Sequence, residues 1–409
     1  MYTLIIHLYA LCVGLLAPFH KKAKLMRLGQ WKTNRILREK IDRDARYIWF
    51  HAASLGEFEQ GRPMMEKIKK EYPHYKILLT FFSPSGYEVR KNYEGADVIC
   101  YLPFDTPYRV KKFLDIVNLE RVIFIKYDFW ANYLSALDKR NIPAFVVSAI
   151  FRKDQFYFQW YGKPFRKVLS YFRYLFVQDE ISAQLLAGIG LRNVTVCGDT
   201  RFDRVLEIQE AAKPIPPVKL FSENKKAGEF ILVAGSSWPE DEELFIPYFN
   251  EHPEMKLIIA PHEIHESHLS SIESLLKRPS VRLSQVNECD LTDKSCLIVD
   301  SFGLLSSIYR YGDMAYIGGG FGAGIHNTLE AAVYGIPVLF GPKFHKFKEA
   351  KGLLRAGGGF SFSDKEGFES IMQELTIYPE LLISSGKIAG DFVKGNAGAT
   401  DRILSCLDI

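Results

Sequence analysis

The first nineteen residues contain no Lys, Arg, Asp or Glu, and basic residues begin directly afterwards with Lys21, Lys22 and Lys24. Charge therefore follows the apolar run instead of preceding it, which excludes the usual secretory-signal layout. The six cysteines (Cys12, Cys100, Cys197, Cys289, Cys296, Cys406) include no CxxC and no Cys/His pair at ligand spacing. That scatter excludes a common zinc site and a disulfide framework, and suits reduced thiols in a cytosolic compartment. No tandem repeat or low-complexity tract occurs, and the only DxD-like triplet, Asp42-Arg43-Asp44, sits in a basic, solvated stretch. The net charge of +4 is small, and no basic groove for nucleic acid is evident.

What is present is length and apolar content. The 409 residues suffice for two domains, with 47% hydrophobic and 24% charged residues, the balance of a folded protein. A helix over residues 1–19 would be about 28 Å long, near the ~30 Å hydrocarbon thickness of a bilayer. Residues 20–46 add ten Lys/Arg against three acids. By the positive-inside rule this predicts a membrane-anchoring segment with the body on the cytoplasmic face of the inner membrane. His7, Gly14 and Pro18 leave open a helix lying in the interface, and a helix packed on the first domain is the bland alternative. The first strand is expected only at residue 47, so the apolar segment is expected to give location rather than core.

From there β-rich runs alternate with amphipathic helical patterns. Strands are predicted at 47–53, 76–81, 97–102, 121–126, 144–148, 174–178 and 193–197, and again at 230–234, 256–260, 295–299, 314–317 and 337–340. Strict alternation predicts an α/β fold with parallel sheets covered on both faces. Residues 211–228, with three prolines, read as a linker between a domain at 20–210 and another at 229–409. Two Rossmann-like halves place a binding site in the cleft between them, at the carboxyl ends of the strands.

The richest stretch is residues 313–342, DMAYIGGGFGAGIHNTLEAAVYGIPVLFGP. A strand ends at Gly318, and Gly320, Gly322 and Gly324 lead to a helix expected near His326. Glycines there allow close backbone approach, and free N–H groups at a helix start suit a phosphate. Asn327 and Glu330 share a face one turn apart, where a carboxylate could accept the hydroxyls of a ribose. Alone, this segment reads equally well as a capped helix with a solvated Glu. Three further strand ends carry polar groups: Gly235-Ser236-Ser237, Pro261-His262, and Asp300-Ser301-Phe302-Gly303-Leu304-Leu305.

In this order GSS, APH, DSFGLL, GGG…HNTLEAA and PVLFGPKFHKFKEA resemble the second domain of the bacterial Kdo (3-deoxy-D-manno-octulosonic acid) transferases of lipid A assembly. WFHAASLGE, TFFSPSG and VQDE…GDTRFD resemble their first domain, so the likeness runs from about residue 25 to 400. It implies a GT-B glycosyltransferase with an acceptor-binding first domain and a CMP-sugar-binding second domain, whose last helix can pack back on the first. It also implies roles: Glu57 as catalytic base, and Ser236, Ser237, Pro261, His262, Phe302 to Leu304, and Asn327, Thr328, Leu329 and Glu330 at the nucleotide. The family usually has Arg where His262 stands, and ETELWPN where this chain reads Lys126-Tyr127-Asp128-Phe129-Trp130-Ala131-Asn132. The family's Arg-Leu-Ser loop reads Ala149-Ile150-Phe151-Arg152 here.

The implied reaction is inverting transfer from CMP-Kdo to the 6′-hydroxyl of a lipid A precursor such as lipid IVA, with no cofactor. Glu57, at a helix start, would be kept ionised by the helix dipole and act as a modest base. Glu59 points about 200° away at ~3.6 residues per turn. A CMP-sugar leaves as a monophosphate, whose charge helix N-termini, Ser236, Ser237, Lys343 or Arg201 could carry, so no metal is expected. Residues 151–176 interleave eleven aromatics with Arg and Lys, which suits an anionic lipid surface or equally a core with a charged outer face. The competing readings are another GT-B nucleotide-sugar enzyme, transferase or epimerase, or an inactive membrane scaffold on the same fold.

Overall fold

The computed structural model describes residues 2–286 and 291–407. Cys289 lies outside the described residues. The chain divides into two compact units, Met1–Arg204 with Ala397–Ile409, and Val205–Asn396.

In the first unit seven parallel strands form one sheet in the order β3-β2-β1-β4-β5-β6-β7. They are β1 (Arg46–Ala52), β2 (Tyr75–Phe81), β3 (Val98–Tyr101), β4 (Leu119–Ile125), β5 (Ala144–Ala149), β6 (Phe172–Val177) and β7 (Val194–Val196). Their near-continuous Val, Ile, Leu and Phe runs follow from burial on both faces. Tyr47, Trp49 and Phe124 pack on one side, and Ile48, Phe50 and Ile123 on the other. The strand order reverses between β1 and β4, so polar residues leaving those two strands converge at a switch point.

The second unit repeats the plan with the order β10-β11-β9-β8-β12-β13-β14. Its strands are β8 (Phe230–Ser237), β9 (Met255–Pro261), β10 (Ser280–Arg282), β11 (Cys296–Ile298), β12 (Met314–Ile317), β13 (Val338–Phe340) and β14 (Gly359–Ser361). Here the switch point lies between β8 and β12.

Two expectations need correction. Residues 211–228 are not an open linker: Pro216–Glu223 is a helix that buries Val218 and Phe221, and the unit boundary falls earlier, at Arg204. The final helix, Ala399–Ser405, packs back on the first unit, the alternative already open for it, and there Asp203 accepts from the Thr400 N–H at 2.6 Å. The apolar N-terminus is α1 (Tyr2–Leu16), followed by α2 (Lys21–Lys40), and it does contribute core. Ile6 and Val13 are buried with Met26 and Phe104, and the Tyr2 hydroxyl donates to Asp105 at 2.6 Å. Its other face is bare, with Leu4, Leu8, Leu11, Leu15 and Phe19 exposed. Among the described residues no single helix is long and apolar enough to cross a membrane; α1 and α2 pass only as a pair bent by 117°.

Candidate active site

In the first unit, β1 runs out at Ala52 and turns into α3 (Leu55–Glu71), which sets Glu57 in the first helical turn. The Glu57 carboxylate reaches back to accept from the Ala53 N–H at 2.5 Å. It is only 9% exposed. Burial pushes its pKa up to about 7, and the Asp128 charge pushes the same way, against the Ala53 N–H and Lys126. The expectation of a dipole-stabilised, ionised Glu57 is therefore corrected: desolvation outweighs the helix start.

Asp128 comes from the loop after β4, across the switch point. It is held by a buried chain: Trp49 Nε1–H donates to Thr80 Oγ1 at 2.7 Å, and that oxygen lies 2.8 Å from His51 Nδ1. His51 Nε2 in turn lies 3.0 Å from Asp128 Oδ2, and Trp130 Nε1–H points at the same nitrogen from 3.3 Å. Lys126 has φ 63°, a left-handed conformation that β4 imposes as it ends. Tyr127 feels Arg152, Glu57 and Arg201, so cations and carboxylates share this end of the sheet. Sequence reasoning passed over His51 and Asp128; their signal was a polar residue at each of the two strand ends that flank the reversal.

Arg201 is pinned on Asp199 at 2.7 Å, and Asp199 also accepts from Gln60 Nε2 at 3.1 Å. Segment 151–176 divides between core and surface: Phe151 and Tyr157 are buried, whereas Trp160 is 90% exposed.

In the second unit a pocket of about 290 Å³ opens at the strand ends. It brings together Ser236, Pro261, His262, Phe302, Gly303 and Glu330 of the anticipated residues, and adds Ser301 and Ser306. Glu330 accepts from Asn327 Nδ2 at 3.0 Å, and Asn327 Oδ1 accepts from the Leu329 N–H at 3.1 Å. The His262 ring stacks on Trp238, with centroids 4.5 Å apart, and lies tilted against His326 at 4.6 Å. Trp238 Nε1–H donates to His326 Nε2 at 3.3 Å, which requires that nitrogen to be unprotonated. Burial, then the neighbouring His262, lowers the His326 pKa to about 4.

Other anticipated residues sit elsewhere. Ser237 is fully buried and donates to Glu242 Oε1 at 2.8 Å, so it serves the interior rather than a phosphate. Thr328 and Leu329 are fully buried as well. Leu304 caps a short helix, Leu305–Ile308. Gly320 is a packing glycine, because a Cβ there would meet the Gly341 Cα at 2.6 Å. Gly322 and Gly324 lie in the loop that Lys343 Nζ clamps, donating to the Gly322 carbonyl at 2.9 Å. The helix expected near His326 begins later and is short, Leu329–Ala332. The Gly319 N–H at the loop start already donates to Asp241 Oδ2 at 2.8 Å. Among the described residues no group of three or more His, Cys, Asp or Glu could hold a metal ion.

Comparison with known proteins follows the same lines. Residues 26–204 match the family described as 3-deoxy-D-manno-octulosonic-acid transferase (kdotransferase). A 3-deoxy-D-manno-octulosonic acid transferase of Aquifex aeolicus is 29% identical over 336 residues, 80% of this chain and 85% of that protein. Residues 26–204 are thus similar to the Kdo transferase domain, and the likeness to Kdo transferases extends over most of the chain. A second member, from Haemophilus influenzae, is 25% identical over 88% of this chain and 86% of its own length. Among solved structures, UDP-GlcNAc 2-epimerase from Neisseria meningitidis superposes with TM-score 0.62 at 16% identity, covering 88% of this chain and 98% of its own. MurG of Acinetobacter baumannii gives TM-score 0.55 at 12% identity, with 88% and 98% covered. These likenesses establish the GT-B fold of two parallel-sheet α/β domains, and the matched domain together with the Kdo transferase relatives supports a glycosyltransferase.

Proposed function

We propose that the protein transfers Kdo from CMP-Kdo to the 6′-hydroxyl of a lipid A precursor such as lipid IVA, in lipopolysaccharide biosynthesis, with inversion and without a metal. Supporting the reaction class are the match of residues 26–204 to the Kdo transferase model and the likeness to Kdo transferases over most of the chain. The observation that carries the mechanism is Glu57, buried at the β1/β4 switch point with its pKa raised to about 7. A carboxyl poised near neutrality takes a proton from an alcohol more readily than an ordinary glutamate, while remaining partly ionised at cytoplasmic pH. Asp128 keeps that proton affinity high, and the His51–Thr80 chain fixes where Asp128 sits.

In the second unit the pocket at Ser236, His262 and Glu330 is of a size to admit a nucleoside, with the Glu330 carboxylate on its wall on the side proposed for the ribose hydroxyls. The departing CMP carries a single phosphate, so hydroxyls, backbone N–H groups and a few cations suffice to stabilise it, and metal independence follows from that chemistry. The acceptor is a lipid, which fits a body held at the cytoplasmic face of the inner membrane by the apolar face of α1 and the basic residues of α2. The test is to mix purified protein, CMP-Kdo made in situ and lipid IVA, and to weigh the product by mass spectrometry. One added Kdo or more supports the reading; no transfer to lipid IVA, with CMP binding no tighter than UMP or UDP, refutes it.

A further inference from the structure

A second cavity lies on the α1–α2 side of the first unit, outside the two strand-end sites. Between α1, α2 and residues 103–112, within the first unit, runs a groove of about 930 Å³. Its apolar lining includes Leu11, Leu15, Leu28, Trp31 and Tyr108, all exposed, with Trp31 at 79% and Tyr108 at 74%. Four cations, Lys24, Arg27, Arg109 and Lys112, also line it, and no carboxylate does. Arg27 Nη1 donates to the Gly14 carbonyl at 3.1 Å and Arg109 lies over the Phe104 ring at 5.4 Å, so both are steered along the walls. Among the described residues none of the four forms an ion pair. Unpaired cations beside exposed apolar surface call for a ligand that is both anionic and apolar. A second copy of the chain fits poorly, because an isologous contact would set these cations against their own counterparts.

We propose that this groove binds an anionic membrane phospholipid, with an acyl chain along the floor between α1 and α2 and the phosphate on Arg109, Lys112, Lys24 and Arg27. The charge complement fits the phosphate, and long cationic side chains on an apolar wall are the arrangement that reaches up to a headgroup. The inference rests on the membrane-face reading given above, but not on which sugar is transferred.

Trp31 lies in the groove and reports on it directly. Full-length protein is mixed with vesicles of phosphatidylcholine containing a minor fraction of phosphatidylglycerol, with either lipid brominated in its acyl chains, and tryptophan fluorescence is followed. Brominated phosphatidylglycerol should quench, the quenching should disappear in Trp31→Phe, and brominated phosphatidylcholine at the same fraction should quench several-fold less. Arg109→Glu with Lys112→Glu should raise the half-saturating phosphatidylglycerol fraction at least tenfold, with the melting temperature unchanged. Equal quenching by both lipids would mean unspecific bilayer contact and overturn the site. Quenching that survives in Trp31→Phe would place lipid at Trp160 instead, overturning the groove while leaving the membrane reading intact. No binding to any vesicle would overturn both. Displacement of phosphatidylglycerol by equimolar lipid IVA would reassign the groove to the acceptor and overturn the phospholipid.

Discussion

Replacing Glu57 by Gln tests the central residue from two sides. Its carboxyl is raised to about 7 in the folded protein, chiefly by burial. A raised acid pKa means that the folded state holds the proton more tightly than the unfolded chain. The associated stability is complete below the unfolded pKa, near 4.3, and is lost as pH rises through about 7. The full loss is on the order of 3 kcal/mol at about 1.4 kcal/mol per pKa unit. Gln is neutral at every pH and escapes that loss, but its amide oxygen accepts from the Ala53 N–H without the charge assistance that makes the carboxylate's bond worth roughly 1–2 kcal/mol. That bond is already part of the raised pKa and does not change with pH in the variant, so Glu57→Gln should gain about 2–3 kcal/mol relative to wild type on going from pH 5 to pH 8, or a few degrees of melting temperature for a domain of this size. Transfer activity should meanwhile fall by about 10²–10⁴, the usual worth of a general base. The assays are paired melting curves at pH 5 and 8, and initial rates with a saturating donor. A variant whose melting difference from wild type is the same at both pH values, or one that keeps wild-type turnover, would refute the reasoning.

Other outcomes follow from the same geometry. Asp128→Asn removes a charge that raises the Glu57 pKa, so the acid limb of the rate–pH profile should move to lower pH; an unmoved limb would detach Asp128 from the base. Transfer should persist in excess EDTA, and loss that magnesium restores would sink the metal-free mechanism. Deleting residues 1–19 should release much of the protein from membranes, with the remainder sensitive to salt because screening shortens to about 3 Å at 1 M. The same deletion should also lower the melting temperature, since Ile6, Val13 and the Tyr2–Asp105 bond are lost; a truncated body that resists salt washing would place the hydrophobic anchor elsewhere. Glu330→Gln should weaken CMP binding several-fold by calorimetry without moving Glu57-dependent pH behaviour.

Twelve of the fourteen strands among the described residues were legible because a parallel strand buried on both faces is a run of apolar residues, and such runs stand out against helical patterns. The two that escaped, β10 (Ser-Val-Arg) and β14 (Gly-Phe-Ser), are the edge strands of the second sheet and hold a single large apolar residue each, so no apolar run marks them. The linker was misread for an instructive reason. Pro216 and Pro217 look like chain breakers, yet proline in the first turn gives up only an N–H that would have no partner there, and its fixed φ suits the helix that follows. The apolar N-terminus was read by its exposed face; Ile6 and Val13, which pack inward, carry no mark that distinguishes them from Leu8 or Leu11.

The site was legible in position and opaque in state. That Glu57 stands at the mouth of β1 follows from a strand giving way to a helix, but its protonation depends on Asp128, brought in from β4 by the strand order. The two serines after β8 show the same limit more sharply. By alternation alone, either could face the pocket. In the structure the register slips between Gly235 and Ser237 as β8 pairs with β9, so Ser237 lies opposite Pro261 and Ser236 is left out of the ladder. Ser236 takes φ 54°, the irregular position of a bulge. That one extra residue turns Ser236 to the pocket and sends Ser237 inward to Glu242. Glu242 is itself nearly inaccessible and 2.9 Å from His268, so the inward serine completes a buried polar network that would otherwise leave a carboxylate oxygen without a donor. The bulge thus assigns two identical neighbours to opposite tasks, and nothing in the letters Gly-Ser-Ser could say which serine had which.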